Sequence, residues 1–94
     1  MTTDSLRAIR TPVSIAAVGR DTEAPSDLCA EWVHGILPNS TFALLDPEAG
    51  HYVFFCTCSV WGQSHMPDIC RDAPGVDRRV IHDGAAALAL DLFA

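Results

Sequence analysis

The apolar residues of the first half of the chain are concentrated in two short runs. The first run, TPVSIAAV, occupies residues 11–18 and contains a proline near its start. A nearly continuous apolar run of this length is typical of a strand buried on both faces, as in a parallel sheet covered by helices. The second run, STFALL at residues 40–45, indicates another strand.

The segment between the two runs has helical periodicity. Within SDLCAEWVHGIL, residues 26–37, four apolar residues recur at helical spacing and define one face: Leu28, Trp32, Val33 and Ile36. Ser26 is a suitable first residue for a helix, and Gly35 indicates its end. We therefore predict a helix of about three turns, with Trp32 and the neighbouring Cys29 in the core.

A strand, a helix and a second strand form a βαβ unit, whose two strands lie parallel. The turn GRDTEAP, residues 19–25, follows the first predicted strand, and DPEAGH, residues 46–51, follows the second. Parallel strands end at the same edge of a sheet, which is where open α/β sheets bind ligands. Asp21 and His51, 30 residues apart in sequence, should therefore lie close together.

The second half of the chain has a weaker pattern. Residues 52–75 contain repeated glycine and proline and are predicted to be irregular. DRRVIHDGAAALALDLF, residues 77–93, is predicted to be a helix, with an apolar stripe formed by Val80 or Ile81, Ala85, Leu88 and Leu92. His34, His65 and His82 have no obvious partner and are expected in solvent. The sequence thus predicts an α/β fold, a short parallel sheet segment with helices packed on it.

Composition and charge exclude several classes of protein. The chain has 94 residues, 49% of them hydrophobic and 19% charged, which suits one small globular domain or part of a larger one. Its net charge of −6 and its scattered basic residues argue against a nucleic-acid partner. Residues 53–66 contain no Asp, Glu, Lys or Arg, but this stretch is too short and too polar to span a membrane.

The N-terminal stretch MTTDSLRAIR has no apolar segment behind its charges, so we expect no secretory signal in it. A cytoplasmic location is expected if the chain is complete, whereas a longer parent protein could be exported.

The predicted pair of Asp21 and His51 is two thirds of a catalytic triad. In a triad the acid orients the imidazole, and the imidazole takes the proton of a nucleophile. In α/β-hydrolases the nucleophile comes first, then the acid, then the histidine. Asp21 precedes His51, in agreement with that order.

Three stretches of the sequence resemble α/β-hydrolases. IRTPVSIAAVGRDTEAP is similar to the strand and acid turn of that superfamily, and LPNSTFALLDPEAGHYVFF to the following strand and its Gly-His loop. The C-terminal stretch resembles the predicted dienelactone hydrolase group, in which a cysteine, a second cysteine followed by aspartate, and Gly-x-Asp-Arg precede a final helix. Here that pattern includes CRDAPGVDR, residues 70–78.

The resemblance covers about residues 6–94 and implies that Asp21 is the triad acid and His51 the base. Glu23, two residues further along the same turn, remains an alternative acid. The implied substrate is a small molecule with an ester-like bond, and no cofactor is implied.

The nucleophile of such an enzyme is missing from the pattern. It usually stands in a Gly-x-Ser-x-Gly turn, and no serine or cysteine of this chain has glycine both two residues before and two residues after it. Ser64 has Gly62 before it but Met66 after it. The resemblance therefore implies that residues 1–94 are the C-terminal segment of a hydrolase domain, without its nucleophile and inactive alone.

The cysteines allow further hypotheses. Cys58 and Cys70 lie in the segment of strongest resemblance and bracket a loop with glycine and proline, so we expect a disulfide between them in an oxidising environment. A less favoured reading is a small zinc-binding protein that uses Cys56, Cys58 and Cys70. A third is a non-catalytic α/β interaction module, which could self-associate through an exposed sheet edge.

Overall fold

A computed structural model describes residues 2–94 of the chain. The elements follow in this order: α1 (Thr3–Arg7), β1 (Val13–Val18), α2 (Ala30–Ile36), β2 (Ser40–Asp46), a 3₁₀ helix (His51–Phe54), α3 (Val60–His65), α4 (Pro67–Cys70) and α5 (Arg78–Phe93). The protein is therefore mixed α/β, with a short sheet early in the chain and its longest helix at the C-terminus.

The two strands form a parallel sheet, as predicted. Val13 is paired with Ser40 at one end, and the register continues regularly as far as Ala17. An irregularity follows, and Val18 is paired with Asp46. The predicted βαβ unit is present, although β1 begins at Val13 rather than at residue 11.

Helices cover both faces of the sheet. On one face, α2 contacts β2 through His34, whose Nδ1 lies 2.6 Å from Ser40 Oγ and whose ring stacks on Phe42. On the other face, α5 passes so close that a Cβ added to Gly84 would lie 3.3 Å from Leu45 Cδ2. Because successive side chains of a strand point to opposite faces, Phe42 and Leu45 face opposite helices.

The main buried cluster lies where the C-terminal ends of the strands meet α5. Its members are Val18, Ala49, Val53 and Ile81, with Leu45 and Val76 packed against it. Ala49 and Val53 flank His51 in the chain, and both are fully buried. The core therefore anchors the loop after β2 from both sides of that histidine.

The prediction for the first long helix was wrong in its extent and its burial. Residues 26–29 form turns instead, in which the amides of Leu28 and Cys29 both donate to the carbonyl oxygen of Pro25. Leu28 is 71% exposed, Trp32 is 43% exposed, and Cys29 is also exposed. The helix is too short for its whole apolar face to reach the sheet.

The expectation that β1 is buried on both faces was also wrong. Only Ala17 and Val18 are buried, and Ala16 is exposed. A sheet of two strands leaves a free edge beside each strand, and the short helices cover only part of its width.

The region predicted to be irregular contains three short helical segments. They are the 3₁₀ helix, α3 and α4, which follow one another between residues 51 and 70. α5 agrees with the predicted C-terminal helix and is capped by Asp77, whose side chain accepts from the amide of Arg79. Its apolar stripe is buried at Ile81, but Leu92 is 38% exposed.

His34 and His82 are partly buried, contrary to the sequence prediction, whereas His65 is exposed, as expected. His34 contacts Ser40, as described above. His82 lies with Nε2 2.8 Å from the carbonyl oxygen of Val53, and the ring of His65 stacks on Trp61. These partners lie on other elements or one helical turn away, so the sequence pattern gave no sign of most of them.

A disulfide joins the ends of the α3–α4 segment. Cys58 and Cys70 are bonded, with their Cα atoms 5.6 Å apart, as predicted. Gly62 packs against this bond, since a Cβ added there would lie 3.3 Å from Cys70 Sγ. Two of the three cysteines of the zinc hypothesis are therefore occupied, and residues 2–94 contain no cluster of three or more potential metal ligands.

Buried Arg78 explains much of the CRDAPGVDR pattern. Its Nε and Nη2 donate to the two carboxylate oxygens of Asp72 at 2.7 and 3.0 Å. Nη1 donates to the carbonyl oxygen of Cys56 at 3.0 Å, and Nη2 also donates to that of Ile69. One guanidinium thus holds three points of the segment between the 3₁₀ helix and α5.

None of the helices within residues 2–94 is both long enough and apolar enough to cross a membrane.

Candidate active site

Backbone amides of the turn after β1 hold the side chain of Asp21 in place. Oδ1 of Asp21 accepts from the amide of Glu23 at 3.0 Å and from that of Ala24 at 2.8 Å. Aspartate commonly folds back on the following amides in this way. One carboxylate oxygen is therefore fixed, and the other, Oδ2, points away from the turn's amides.

Backbone hydrogen bonds join this turn to the turn after β2. The amide of Gly19 donates to the carbonyl oxygen of Asp46, and that of Arg20 donates to Ala49, each at 2.9 Å. The two turns pack so closely at Gly19 that an added Cβ would lie 2.2 Å from the carbonyl oxygen of Pro47. A side chain at this position would force the two turns apart.

His51 lies at the first position of the 3₁₀ helix and reaches Asp21 across the two turns. Its Nδ1 lies 2.8 Å from Asp21 Oδ2. An ionised carboxylate can only accept a hydrogen bond, so Nδ1 carries the proton and, in the neutral ring, Nε2 carries the lone pair. The predicted proximity of Asp21 and His51 is confirmed, and the tautomer is the one that a base acting through Nε2 requires.

The hydrogen bond between Asp21 and His51 contributes to a shift in the pKa of both groups. Burial alone would raise the pKa of Asp21, but hydrogen bonds from the amide of Ala24, from His51 and from the amide of Glu23 outweigh it and hold the pKa below its usual value. The hydrogen bond to Asp21 raises the pKa of His51, against a smaller opposing effect of desolvation. The imidazolium form is therefore stabilised by Asp21.

Glu23 lies at the opposite nitrogen of the imidazole. Its Oε2 is 3.7 Å from Nε2 of His51, whereas Asp21 contacts Nδ1. The hydroxyl of Tyr52 donates to Glu23 Oε1 at 2.6 Å, and this hydrogen bond raises the pKa of Tyr52. Asp21 is therefore the carboxylate hydrogen-bonded to Nδ1 of His51, and Glu23 is the carboxylate beside Nε2.

His51 lines a cavity of about 420 Å³. Arg20 and Glu48 form an ion pair at its margin, with Nε and Oε2 2.7 Å apart. Across from the turns, the wall of the cavity includes Arg71 and Asp72, which follow the disulfide directly in sequence. The side chain of His51 is 38% exposed, so it is accessible from this cavity, whereas that of Asp21 is only 10% exposed.

Sequence reasoning predicted the contact between Asp21 and His51 but missed the contacts of the neighbouring groups. Glu23 was considered only as a rival acid. The partnership of Glu23 with Tyr52 joins side chains 29 residues apart whose meeting depends on the exact turn geometry. Asp72, in the wall of the cavity, is hydrogen-bonded to Arg78, and no rule of sequence spacing predicts this contact.

Comparison of the chain with protein-family models, with curated proteins and with solved structures gives no match.

Proposed function

We propose that this chain is the acid–base segment of a serine-type α/β-hydrolase acting on ester-like bonds. His51 is the base, Asp21 is the acid that orients it, and the nucleophile belongs to a segment outside these 94 residues. The observation that carries the proposal is the hydrogen bond of 2.8 Å between His51 Nδ1 and Asp21 Oδ2 at the end of two parallel strands.

The geometry suits the steps that a triad histidine performs. Nε2 takes the proton of the nucleophile's hydroxyl as that oxygen attacks the acyl carbon, and it then protonates the leaving alcohol. A water molecule then attacks the acyl carbon with the help of Nε2 in the same way. The bond to the nucleophile's oxygen breaks, and the carboxylic acid product is released. Asp21 stabilises the imidazolium that forms each time, in agreement with the raised pKa of His51.

The residues that line the cavity favour a nucleophile supplied by another segment of the protein. Among the residues 2–94 that line it, none is a serine or a cysteine, and Thr22 has the one aliphatic hydroxyl. β1 also favours a further strand at its open edge, because VSIAAV carries no charge and no proline of the kind that protects natural edge strands. A segment paired there could present a nucleophile near the ends of the strands.

The first test is an ester hydrolysis assay. The purified chain is incubated with a short-chain nitrophenyl ester, and so is the chain joined to a Gly-x-Ser-x-Gly segment taken from a hydrolase of the resembled group. We expect no His51-dependent turnover by the chain alone and clear turnover by the joined protein. In the joined protein, His51→Ala should lower kcat by several orders of magnitude, as removal of a triad base does elsewhere.

Two outcomes would contradict the proposal. Turnover by the chain alone that is lost in His51→Ala would place a nucleophile within these residues, and Thr22→Val would be the first variant to examine. A joined protein that folds and hydrolyses the ester equally well with and without His51 would remove the histidine from the mechanism.

A non-catalytic interaction module is the second candidate. It is favoured by the exposed apolar side chains of the α3 region, where Val60 is 82% and Trp61 64% exposed, and by the open edges of the sheet. Such a module would bind a partner, or a second copy of itself, without any chemical role for His51.

A further inference from the structure

Two carboxylates lie beside His51, one at each ring nitrogen, and the proposed triad uses only Asp21. The other, Glu23, is 52% exposed, and an exposed glutamate side chain would normally move freely in solvent. Here the hydroxyl of Tyr52 holds Glu23 Oε1 at 2.6 Å, which leaves Oε2 facing the imidazole. Tyr52 is itself restrained, because the next residue, Val53, is fully buried and because the ring of Tyr52 packs on Phe55.

We infer that Glu23, held by Tyr52, is a positioning residue that acts on the reactive nitrogen of His51. The inference rests on the proposed role of His51 as a base and concerns its Nε2 side. Asp21 orients the ring from Nδ1, and Glu23 places a second carboxylate oxygen beside the atom that exchanges the proton.

The separation of the two atoms indicates what Glu23 does there. At 3.7 Å, Oε2 is beyond direct hydrogen-bond distance of Nε2. One oxygen of a water or hydroxyl can nevertheless lie within hydrogen-bond distance of both atoms. A water has two hydrogens, so it can donate one to neutral Nε2 and the other to the carboxylate, which fixes its orientation.

This arrangement suits the second half of ester hydrolysis. The water gives one proton to Nε2, its oxygen bonds to the acyl carbon, and the bond between that carbon and the nucleophile's oxygen breaks. The proton then passes from Nε2 to the released oxygen. Glu23 takes no proton in this sequence, and its negative charge favours the imidazolium that appears after the first transfer.

Several ionisable groups near His51 can influence its pKa. Asp21 and Glu23 belong to the turn after β1, and Tyr52 belongs to the same 3₁₀ helix as His51. The other ionisable groups that line the same cavity are Arg20, Glu48, Asp68, Arg71 and Asp72. Of these, Glu48 is a suitable control, because it is also a carboxylate and comparably exposed but is paired with Arg20.

The test is an NMR titration of the His51 ring in the 94-residue chain. Glu23→Gln keeps the size of the side chain and removes its charge, so we expect it to lower the pKa of His51 by a resolvable fraction of a unit. Tyr52→Phe should lower it in the same direction by less, because Glu23 keeps its charge but loses its tether. Glu48→Gln should have the smallest effect of the three.

An unchanged pKa in Glu23→Gln would overturn the inference, and so would an equal shift in Glu48→Gln, which would mean that only the general charge of the cavity matters. An unchanged pKa of His51 in Tyr52→Phe would show that Tyr52 does not hold Glu23 in place. Asp21→Asn separates this failure from that of the proposed function. If Asp21→Asn lowers the pKa of His51 while Glu23→Gln does not, only the role of Glu23 falls. If neither does, the acid–base pair itself is wrong.

Discussion

Gly19 is a residue at which the turn after β1 lies in close contact with the turn after β2. A Cβ at this position would overlap the backbone of Pro47, which cannot move as a flexible side chain can. We predict that Gly19→Ala lowers the free energy of unfolding by about 1–3 kcal/mol, the usual cost of overpacking. It should also weaken the hydrogen bond between Asp21 and His51. Urea unfolding measures the first effect, and the NMR titration of His51 measures the second.

Gly35→Ala is the matched control for this substitution. Gly35 lies in α2, and an added Cβ would have no atom within 4 Å. Alanine favours a helix by up to about 1 kcal/mol over glycine, so this variant should be as stable as the original chain or slightly more so. Equal stability of the Gly19→Ala and Gly35→Ala variants would show that the close approach of the turns has no energetic importance.

The meeting of Asp21 and His51 could be predicted from the sequence, because it follows from a rule about parallel strands. Two apolar runs separated by a helical segment predict a parallel pair, and the residues just after each strand then share an edge. The contact of Glu23 with Tyr52 follows from no such rule. It depends on the folding of a turn around Asp21 Oδ1 and on a 3₁₀ helix that the sequence did not predict.

At the scale of elements, Arg78 joins α5 to the segment that forms one wall of the cavity. The arginine is only 5% exposed and satisfies Asp72 and two backbone carbonyl groups. The side chain of Asp72 is 20% exposed, so water can partly solvate the carboxylate left behind, and the main cost is the loss of hydrogen bonds from a charged donor, about 1.5–3 kcal/mol. We predict that Arg78→Met lowers the free energy of unfolding by about this amount, as measured by urea unfolding.

Arg79 provides the control, because it is the next residue in the chain and is exposed. Arg79→Met should change stability by less than about 0.5 kcal/mol. Similar losses in the two variants would mean that the hydrogen bonds of Arg78 do not hold the segment between Cys56 and Asp72.

Element boundaries were predicted well where a polar residue marks a helix end or the pattern of a strand is continuous. Asp77 caps α5 at the predicted start of that helix, and β2 differs from its prediction only by the addition of Asp46. α2 was overestimated because apolar periodicity continues through Leu28, whereas the turn around Pro25 holds the backbone in another conformation. Periodicity alone cannot distinguish a helix from a turn that leaves its apolar side chains in solvent.

At the scale of the whole molecule, the sheet has two strands and two open edges. Because β1 has no charged residue along its length, we predict that the chain self-associates as its concentration increases. Ala16→Lys places a charge at an exposed position of β1 and should reduce this association. Sedimentation velocity over a range of concentrations measures it. A chain that stays monomeric at every concentration would contradict the prediction and weaken the interaction-module hypothesis.

We propose that Asp21 and His51 act together as acid and base in ester hydrolysis. The most direct measurement is the pH dependence of kcat and kcat/KM for the joined protein, with and without Asp21→Asn. Because Asp21 raises the pKa of His51, the rise of kcat/KM with pH should begin at lower pH in Asp21→Asn. At the same time, kcat should fall by about 10⁴-fold, as it does when a triad histidine loses its acid. An unshifted profile, or a kcat within about tenfold of the original value, would show that the two residues do not form a catalytic pair.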